Sequence, residues 1–172
     1  MKEIKLEWIL IPSIIYKYLN QFKDEKTPYR PFFGKGIYMY ILSNNSGYQI
    51  YHIGQSSAEI GRRVFDHYRG YMGEEWKYCV PYNIELAKEN IYDKKIEWKN
   101  NIESEEERKK IGNYLVDNSY IAIAGNNSLT EETIRDIETI CQHAVKMKNN
   151  LNDEWLEMIG GQRKHLSNMS DY

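Results

Sequence analysis

Two short apolar runs, rich in β-branched and aromatic residues, flank a polar segment in the first third of the chain. The runs are Ile37–Leu42 and Tyr48–Ile53, and the five residues between them read Ser-Asn-Asn-Ser-Gly. This pattern predicts two antiparallel strands joined by a hairpin loop. The segment Ser119–Ala124 has the same strand character later in the chain, so we expect it to form a third strand.

The hairpin also predicts which side chains are neighbours. If Leu42 lies opposite Tyr48 across the five-residue loop, the register pairs Tyr38 with His52. Side chains alternate along a strand, so Tyr38 and His52 share one face of the sheet. Tyr51, one position earlier, is expected on the other face. The sequence therefore predicts a phenol and an imidazole side by side.

Helical spacing follows the hairpin. On a helix of 100° per residue, Arg62 falls on the solvated side, whereas Arg63 and His67 lie one turn apart at the border of the apolar side. We therefore expect Arg63, rather than Arg62, to point toward the hairpin. The apolar stripe of this helix consists of Ile60, Val64, Tyr68 and Tyr71.

The segment between this helix and the third strand is highly charged. Asn83–Lys99 has helical spacing, and Ser104-x-x-Glu107 is a capping-box pattern for a second short helix. We interpret residues 72–113 as a helical insertion. It is either a specificity or oligomer contact or simply a solvated pair of helices.

The last predicted helix starts at a second capping-box pattern, Ser128-x-x-Glu131, and ends near residues 148–150. Glu138 follows Ile134 by four residues, so it lies among apolar positions on the side that should face the sheet. A carboxylate is rarely buried there without a cation or paired donors. Glu138 is therefore a candidate functional residue.

Composition narrows the class of protein. A chain of 172 residues can bury a single core, and its net charge of −2 argues against a general coat for nucleic acid. Cys79 and Cys141 are far apart, which indicates neither a zinc site nor a redox motif. Neither a run of about 20 apolar residues nor a leader pattern is present, so we expect a cytoplasmic protein without membrane contact.

Four features occur in an order that resembles a known family. They are Gly36-Ile37-Tyr38, then His52-Ile53-Gly54, then Arg63 and His67. This arrangement is similar to the GIY-YIG nuclease domain, in which two strands with such triplets precede a helix with an arginine. The resemblance spans residues 35–152. It departs from the family at His52, where tyrosine is usual.

The resemblance implies a fold and a domain plan. The fold class is α+β, with a small three-stranded antiparallel sheet flanked by helices and the helical insertion before the third strand. Residues 1–172 would form one domain with a core at about 35–152. Residues 1–33 would be an N-terminal appendage that includes a short helix at 13–19, and residues 153–172 a C-terminal tail.

The resemblance also implies a metal site. GIY-YIG nucleases carry a metal-binding glutamate on a late helix, which Glu138 matches, and a supporting asparagine some turns later. Asn150 is our match for that asparagine, with Asn149 and Asn152 as alternatives. A lone carboxylate leaves most ligand positions to water and phosphate, so the expected ion is Mg²⁺ or Mn²⁺ rather than zinc.

Roles for the other residues follow from phosphodiester hydrolysis. Arg63 would hold the scissile phosphate, because its planar guanidinium matches two oxygens at once. Tyr38 is the family's candidate base or water-orienting group. His52, with an ordinary pKa near 6.5, would either replace it as base or hydrogen-bond to it. His67 would contact the phosphate or a water near the metal.

Together these expectations describe a metal-dependent DNA endonuclease, most simply a stand-alone enzyme of restriction type. The alternatives are a non-catalytic binding or assembly module on the same scaffold and a repair nuclease recruited by partners. DNA is the expected partner, and a homodimer is left open.

Overall fold

The computed structural model of the chain describes residues 4–17, 34–71, 80–81, 84–92, 98–99 and 104–151. Cys79, Asn152, most of the predicted appendage and the whole predicted tail lie outside these residues. No helix in the described ranges is long and apolar enough to cross a membrane. The elements are β1 Ile9–Pro12, β2 Gly36–Asn44, β3 Gly47–Ser56, α1 Ile60–Tyr71, β4 Val80–Pro81, α2 Ile84–Lys88, β5 Trp98–Lys99, α3 Glu105–Asp117, β6 Ser119–Gly125 and α4 Glu131–Asn149.

The fold is α+β, as predicted, but its main sheet has four antiparallel strands in the described residues rather than three. Their order is β1-β6-β2-β3, and β4 pairs with β5 in a separate two-stranded sheet. The additional strand is β1, which falls in the predicted appendage. It pairs with β6 so that Ile9 lies opposite Ile123. Four residues with so distant a partner carry too little local pattern to be recognised as a strand.

Helices cover both faces of the sheet. On one face, α1 and α3 pack against aromatic and apolar residues of the strands, including Tyr38, Tyr40 and Ile121. On the other face, Ile134 and its neighbours on α4 pack against Ile37 and Ile53. Apolar positions at helical spacing on each helix therefore meet alternate positions of the strands.

The predicted hairpin is present, but its predicted register is wrong. Tyr38 lies opposite Gly54, and Tyr40 lies opposite His52. The register shifts at a β-bulge, where Tyr51 is the extra residue of β3. As a result Tyr51 and His52 both contact the Tyr40 ring, with centroids 5.6 and 5.8 Å away. Tyr51 is therefore not on the opposite face, because the bulge interrupts the alternation.

The predicted helices are confirmed to different extents. In α1 the side chains of Ile60, Val64 and Tyr68 are buried, as their spacing predicts. Ser104 caps α3 by accepting a hydrogen bond from Glu107 N. The helix predicted over 83–99 is wrong: α2 ends at Lys88, and residues 98–99 are a strand.

Two further corrections concern helix starts and ends. The N-cap of α4 is Thr130, which accepts from Thr133 N at 3.1 Å, and not Ser128. Ser128 instead bonds Asn126 within the preceding turn. Of the short helix predicted at 13–19, residues 15–17 are helical, residues 13–14 form a turn, and residues 18–19 lie outside the described residues.

Candidate functional site

A cluster of five aromatic rings forms where the hairpin meets α1. A hydrogen bond 2.8 Å long joins Tyr38 Oη to His67 Nε2, and both side chains are buried. The His52 ring lies 4.7 Å from the His67 ring and 5.8 Å from the Tyr38 ring, between centroids. The five rings of this cluster belong to Tyr38, Tyr40, Tyr51, His52 and His67.

Gly54 leaves the space that the Tyr38 ring occupies. The two residues lie opposite each other in the hairpin, and a Cβ at position 54 would come within 2.5 Å of Tyr38 Cζ. No real Cβ contact is that short, so any larger residue must displace the phenol or the strand. The packing of the Tyr38 ring therefore requires glycine at position 54, the last residue of the second triplet.

The prediction that Tyr38 and His52 are neighbours is confirmed, but the hydrogen-bond partner of the phenol is His67. His67 was expected to contact the phosphate or a water near the metal. It is instead fully buried, because it points from α1 into the ring cluster and packs against the His52 ring. The sequence placed it at the border of the apolar stripe, which is consistent with burial.

The two histidines are held in the neutral state. Burial, together with the positive charge of Arg63, lowers the pKa of His52 to about 3. Burial, His52 and Arg63 lower the pKa of His67 well below its ordinary value. His52 Nε2 is buried and has no hydrogen-bond partner among the described residues. His52 is therefore a much weaker base than the ordinary pKa near 6.5 suggests.

The side chain of Arg63 is exposed, and its positive charge acts on three of the other candidate residues. Its guanidinium lowers the pKa values of His52, His67 and Glu138. Arg62 is also exposed, but it does not contribute to any of these shifts. The orientation predicted from the helical phase, with Arg63 toward the hairpin, is thus supported.

Glu138 reaches the same region from the other face of the sheet. Its side chain is half-buried on α4, and burial raises its pKa to about 7, opposed by the positive charges of Arg63 and Arg135. The strand between α1 and α4 is β3, the outermost strand of the sheet on this side. Arg63 and Glu138 therefore interact electrostatically although their helices pack against opposite faces of the sheet.

Asn150 does not join this group. It is exposed and forms the C-cap of α4 in the left-handed conformation, with φ 51° and ψ 46°. It lies twelve positions after Glu138, or about 18 Å along the helix axis. Of its alternatives, Asn149 donates to Val145 O, and Asn152 lies outside the described residues. The structure gives Asn150 a capping role.

Among the candidate residues, Glu138 is the carboxylate that could bind a divalent cation. In the described ranges no group of three His, Cys, Asp or Glu side chains is arranged to hold a metal ion. Glu138 nevertheless fits a Mg²⁺ or Mn²⁺ ion that keeps water and takes phosphate oxygens as its other ligands. A half-buried carboxylate with a raised pKa gains stabilisation from such a charge.

Two positions important to this geometry were not predicted. Tyr40 contacts the rings of all four other members of the cluster, and its hydroxyl donates to Val64 O at 3.2 Å, which ties α1 to the sheet beside Arg63. Gln142 is buried one turn after Glu138 and donates to Ile53 O at 3.4 Å. Gln142 could have been found in the same way as Glu138, as a polar residue among apolar helix positions.

Comparisons with known proteins find nothing similar to the chain. No protein-family model matches it, no curated protein is significantly similar, and no solved structure matches it. A functional proposal therefore depends on the geometry of the site and on the order of its motifs.

Proposed function

We propose that this protein is a metal-dependent DNA endonuclease of the GIY-YIG type, acting most simply as a restriction-type enzyme. The observation that carries the proposal is the contact among the candidate residues: a hydrogen bond of 2.8 Å joins Tyr38 Oη to His67 Nε2, and the centroid of the His52 ring lies 4.7 Å from that of His67. The exposed guanidinium of Arg63 interacts electrostatically with both histidines and with the half-buried carboxylate of Glu138. DNA is the proposed partner.

Hydrolysis of a phosphodiester needs charge neutralisation, a positioned water and a proton for the leaving oxygen. Arg63 is exposed and would donate hydrogen bonds to two oxygens of the scissile phosphate. Glu138 would hold Mg²⁺ or Mn²⁺, which supplies a further positive charge at the phosphate when bound. Both groups act on the negative charge that grows on the phosphoryl oxygens.

The Tyr38–His67 pair is the group that we assign to positioning the attacking water. Burial and nearby positive charge hold the pKa of His67 well below its ordinary value, so the neutral ring would accept a hydrogen bond from the phenol at 2.8 Å without taking its proton, and the phenol oxygen would accept a hydrogen bond from the water. The new P–O bond forms as the bond to the leaving oxygen breaks, and the proton of the attacking water goes to that oxygen. Because Tyr38 is only 1% exposed, the covering groups must move for water to reach it.

That burial also favours a second candidate function. A ring cluster closed to solvent is typical of a structural core rather than of an active site. A protein with this scaffold and no catalytic site would bind DNA or a partner without cleaving DNA. Arg63 and Glu138 would then interact electrostatically without holding a metal ion or a phosphate. The two functions differ in whether DNA is cleaved.

Incubation with mixed-sequence plasmid distinguishes them. The purified protein with Mg²⁺ or Mn²⁺ should convert the plasmid into discrete fragments, and a chelator should prevent this. A smear of products would indicate a non-specific nuclease. Intact plasmid with both metals would contradict the proposal and support the binding module.

A further inference from the structure

Gln55 lies near the end of β3 and carries a buried amide oxygen. This Oε1 atom accepts no hydrogen bond from any of the described residues. Burial of an oxygen acceptor without a donor is unfavourable, so such an atom in a folded protein usually accepts from water or binds an ion. Gln55 is therefore a candidate ligand-binding residue, to which the proposed function gives no role.

The register of the hairpin places the Gln55 side chain on the face of the sheet that α4 covers. Gln55 lies opposite Ile37 in β2, and the side chains of directly opposite residues point to the same face. Ile37 packs in one cluster with Ile53 and with Ile134 of α4. The β-bulge precedes Ile53, so the alternation from Ile53 to Gln55 is intact. Ile53 and Gln55 therefore both point toward α4.

The connection from β6 fixes the direction in which α4 runs along β3. The last residue of β6, Gly125, lies opposite Gly36 of β2, and Gly36 lies opposite Ser56 at the end of β3. Leu129, which precedes α4, packs in the same cluster as Ile37. The helix therefore begins at the end of the sheet that contains Ser56 and runs back along β3 in the opposite direction to the strand.

The spacing along the two elements brings Glu138 to Gln55. One contact sets the alignment, because Gln142 Nε2 donates to Ile53 O at 3.4 Å. Glu138 precedes Gln142 by four residues, or about 6 Å of helix, and Gln55 follows Ile53 by two residues, or about 7 Å of strand. Since the helix and the strand run in opposite directions, both steps lead toward the same end of the sheet. The carboxylate of Glu138 and the amide of Gln55 therefore lie at the same level between α4 and β3.

We propose that Gln55 Oε1 is a second protein oxygen of the cation site at Glu138, so that an amide and a carboxylate together bind Mg²⁺ or Mn²⁺. The chemistry fits, since hard divalent cations take amide oxygens as well as carboxylate oxygens. A cation there would also give the buried amide oxygen the partner that the described residues do not supply. This inference deepens the proposed function and rests on its assignment of the metal ion to Glu138.

Mn²⁺ binding to the full chain, measured by electron paramagnetic resonance of the free ion, tests the proposal without DNA. Gln55→Leu should weaken the affinity about tenfold or more, because one protein oxygen is lost. Gln55→Glu should strengthen it, because a carboxylate replaces a neutral ligand. Tyr48→Glu is the control for added charge, since Tyr48 is 73% exposed at the far end of β3, and it should leave the affinity unchanged.

The outcomes distinguish this inference from the proposed function. Weaker binding by Glu138→Gln, with wild-type affinity in both Gln55 variants, would overturn the role of Gln55 and keep Glu138 as a metal ligand. Weaker binding by Gln55→Glu, or equal strengthening by Gln55→Glu and Tyr48→Glu, would also overturn it. Wild-type affinity in Glu138→Gln would contradict the metal site and both proposals. Mn²⁺ binding that depends on Gln55 as described, without cleavage of plasmid, would support this inference and contradict the nuclease alone.

Discussion

Tyr38 Oη and His67 Nε2 are joined by a hydrogen bond 2.8 Å long between two side chains that are almost completely buried. This contact connects the first strand of the hairpin to α1. It holds the phenol toward a neutral imidazole and away from bulk solvent. The candidate site thus has a buried pair, Tyr38 and His67, and a charged pair, Arg63 and Glu138. The His52 ring contacts both members of the buried pair, and the charge of Arg63 acts on it.

Removal of the phenolic oxygen should destabilise the protein. Tyr38→Phe leaves His67 without this hydrogen bond, and a buried polar group that loses its partner costs about 1 to 3 kcal/mol. Urea unfolding measures the loss. In a His67→Phe background the same substitution should cost clearly less, because the partner is already absent.

Tyr48→Phe is the control, since Tyr48 is mostly exposed and should change the free energy of unfolding by less than about 0.5 kcal/mol. Equal costs of Tyr38→Phe in both backgrounds would mean that the hydrogen bond contributes nothing to stability.

Local pattern predicted much of this arrangement. The hairpin, the stripe of α1 and the position of Glu138 on a helix face follow from periodicities that a short segment carries alone. The family resemblance supplied the order of the candidate residues, and the structure brings five of them into one region. Asn150 is the candidate residue that lies outside this region, because α4 ends at Asn149 and Asn150 serves as its C-cap.

What could not be predicted depends on distant contacts. The bulge at Tyr51 shifts the register by one residue, and no local signal marks it. The partner of Tyr38 changed from His52 to His67 because α1 lies over the hairpin, which is a tertiary relationship. Similarly, the pairing of β1 with β6 joins segments more than 100 residues apart in sequence.

Arg63 should matter far more for cleavage than Arg62. Arg63→Ala removes the charge that acts on His52 and Glu138, and loss of one preorganised charge typically lowers the rate about 100-fold or more. Arg62→Ala is the matched control on the adjacent position of α1. Single-turnover cleavage of plasmid measures both, and equal rates in the two variants would remove Arg63 from the proposed site.

Stability should fall in mild acid because of the two histidines. Their pKa values are lowered in the folded protein, so folding favours the neutral rings and loses stability as the pH falls below about 6.5, down to the pKa of about 3 for His52. Each pH unit costs up to about 1.4 kcal/mol per histidine, and the carboxyl of Glu138, whose pKa is raised to about 7, offsets up to one such contribution above its ordinary pKa. The melting temperature should drop by at least about 3 °C between pH 6.5 and 5.

His52→Gln should reduce this acid sensitivity, whereas Met147→Gln, at an exposed position on α4 that does not titrate, should leave it unchanged. Thermal unfolding monitored by circular dichroism provides the measurement. The same pH dependence in His52→Gln as in wild type would show that the His52 ring does not titrate as its burial requires.

The central claim is that Glu138 holds the metal ion that cleavage requires. The direct test is cleavage of plasmid DNA with Mn²⁺ by the Glu138→Gln variant, which keeps the shape of the side chain but lacks its charge. Glu132→Gln is the matched control, because Glu132 is exposed in the first turn of the same helix. We predict loss of cleavage by at least about 100-fold in Glu138→Gln, with DNA binding retained, and wild-type cleavage in Glu132→Gln. Cleavage at the wild-type rate by Glu138→Gln would contradict the account.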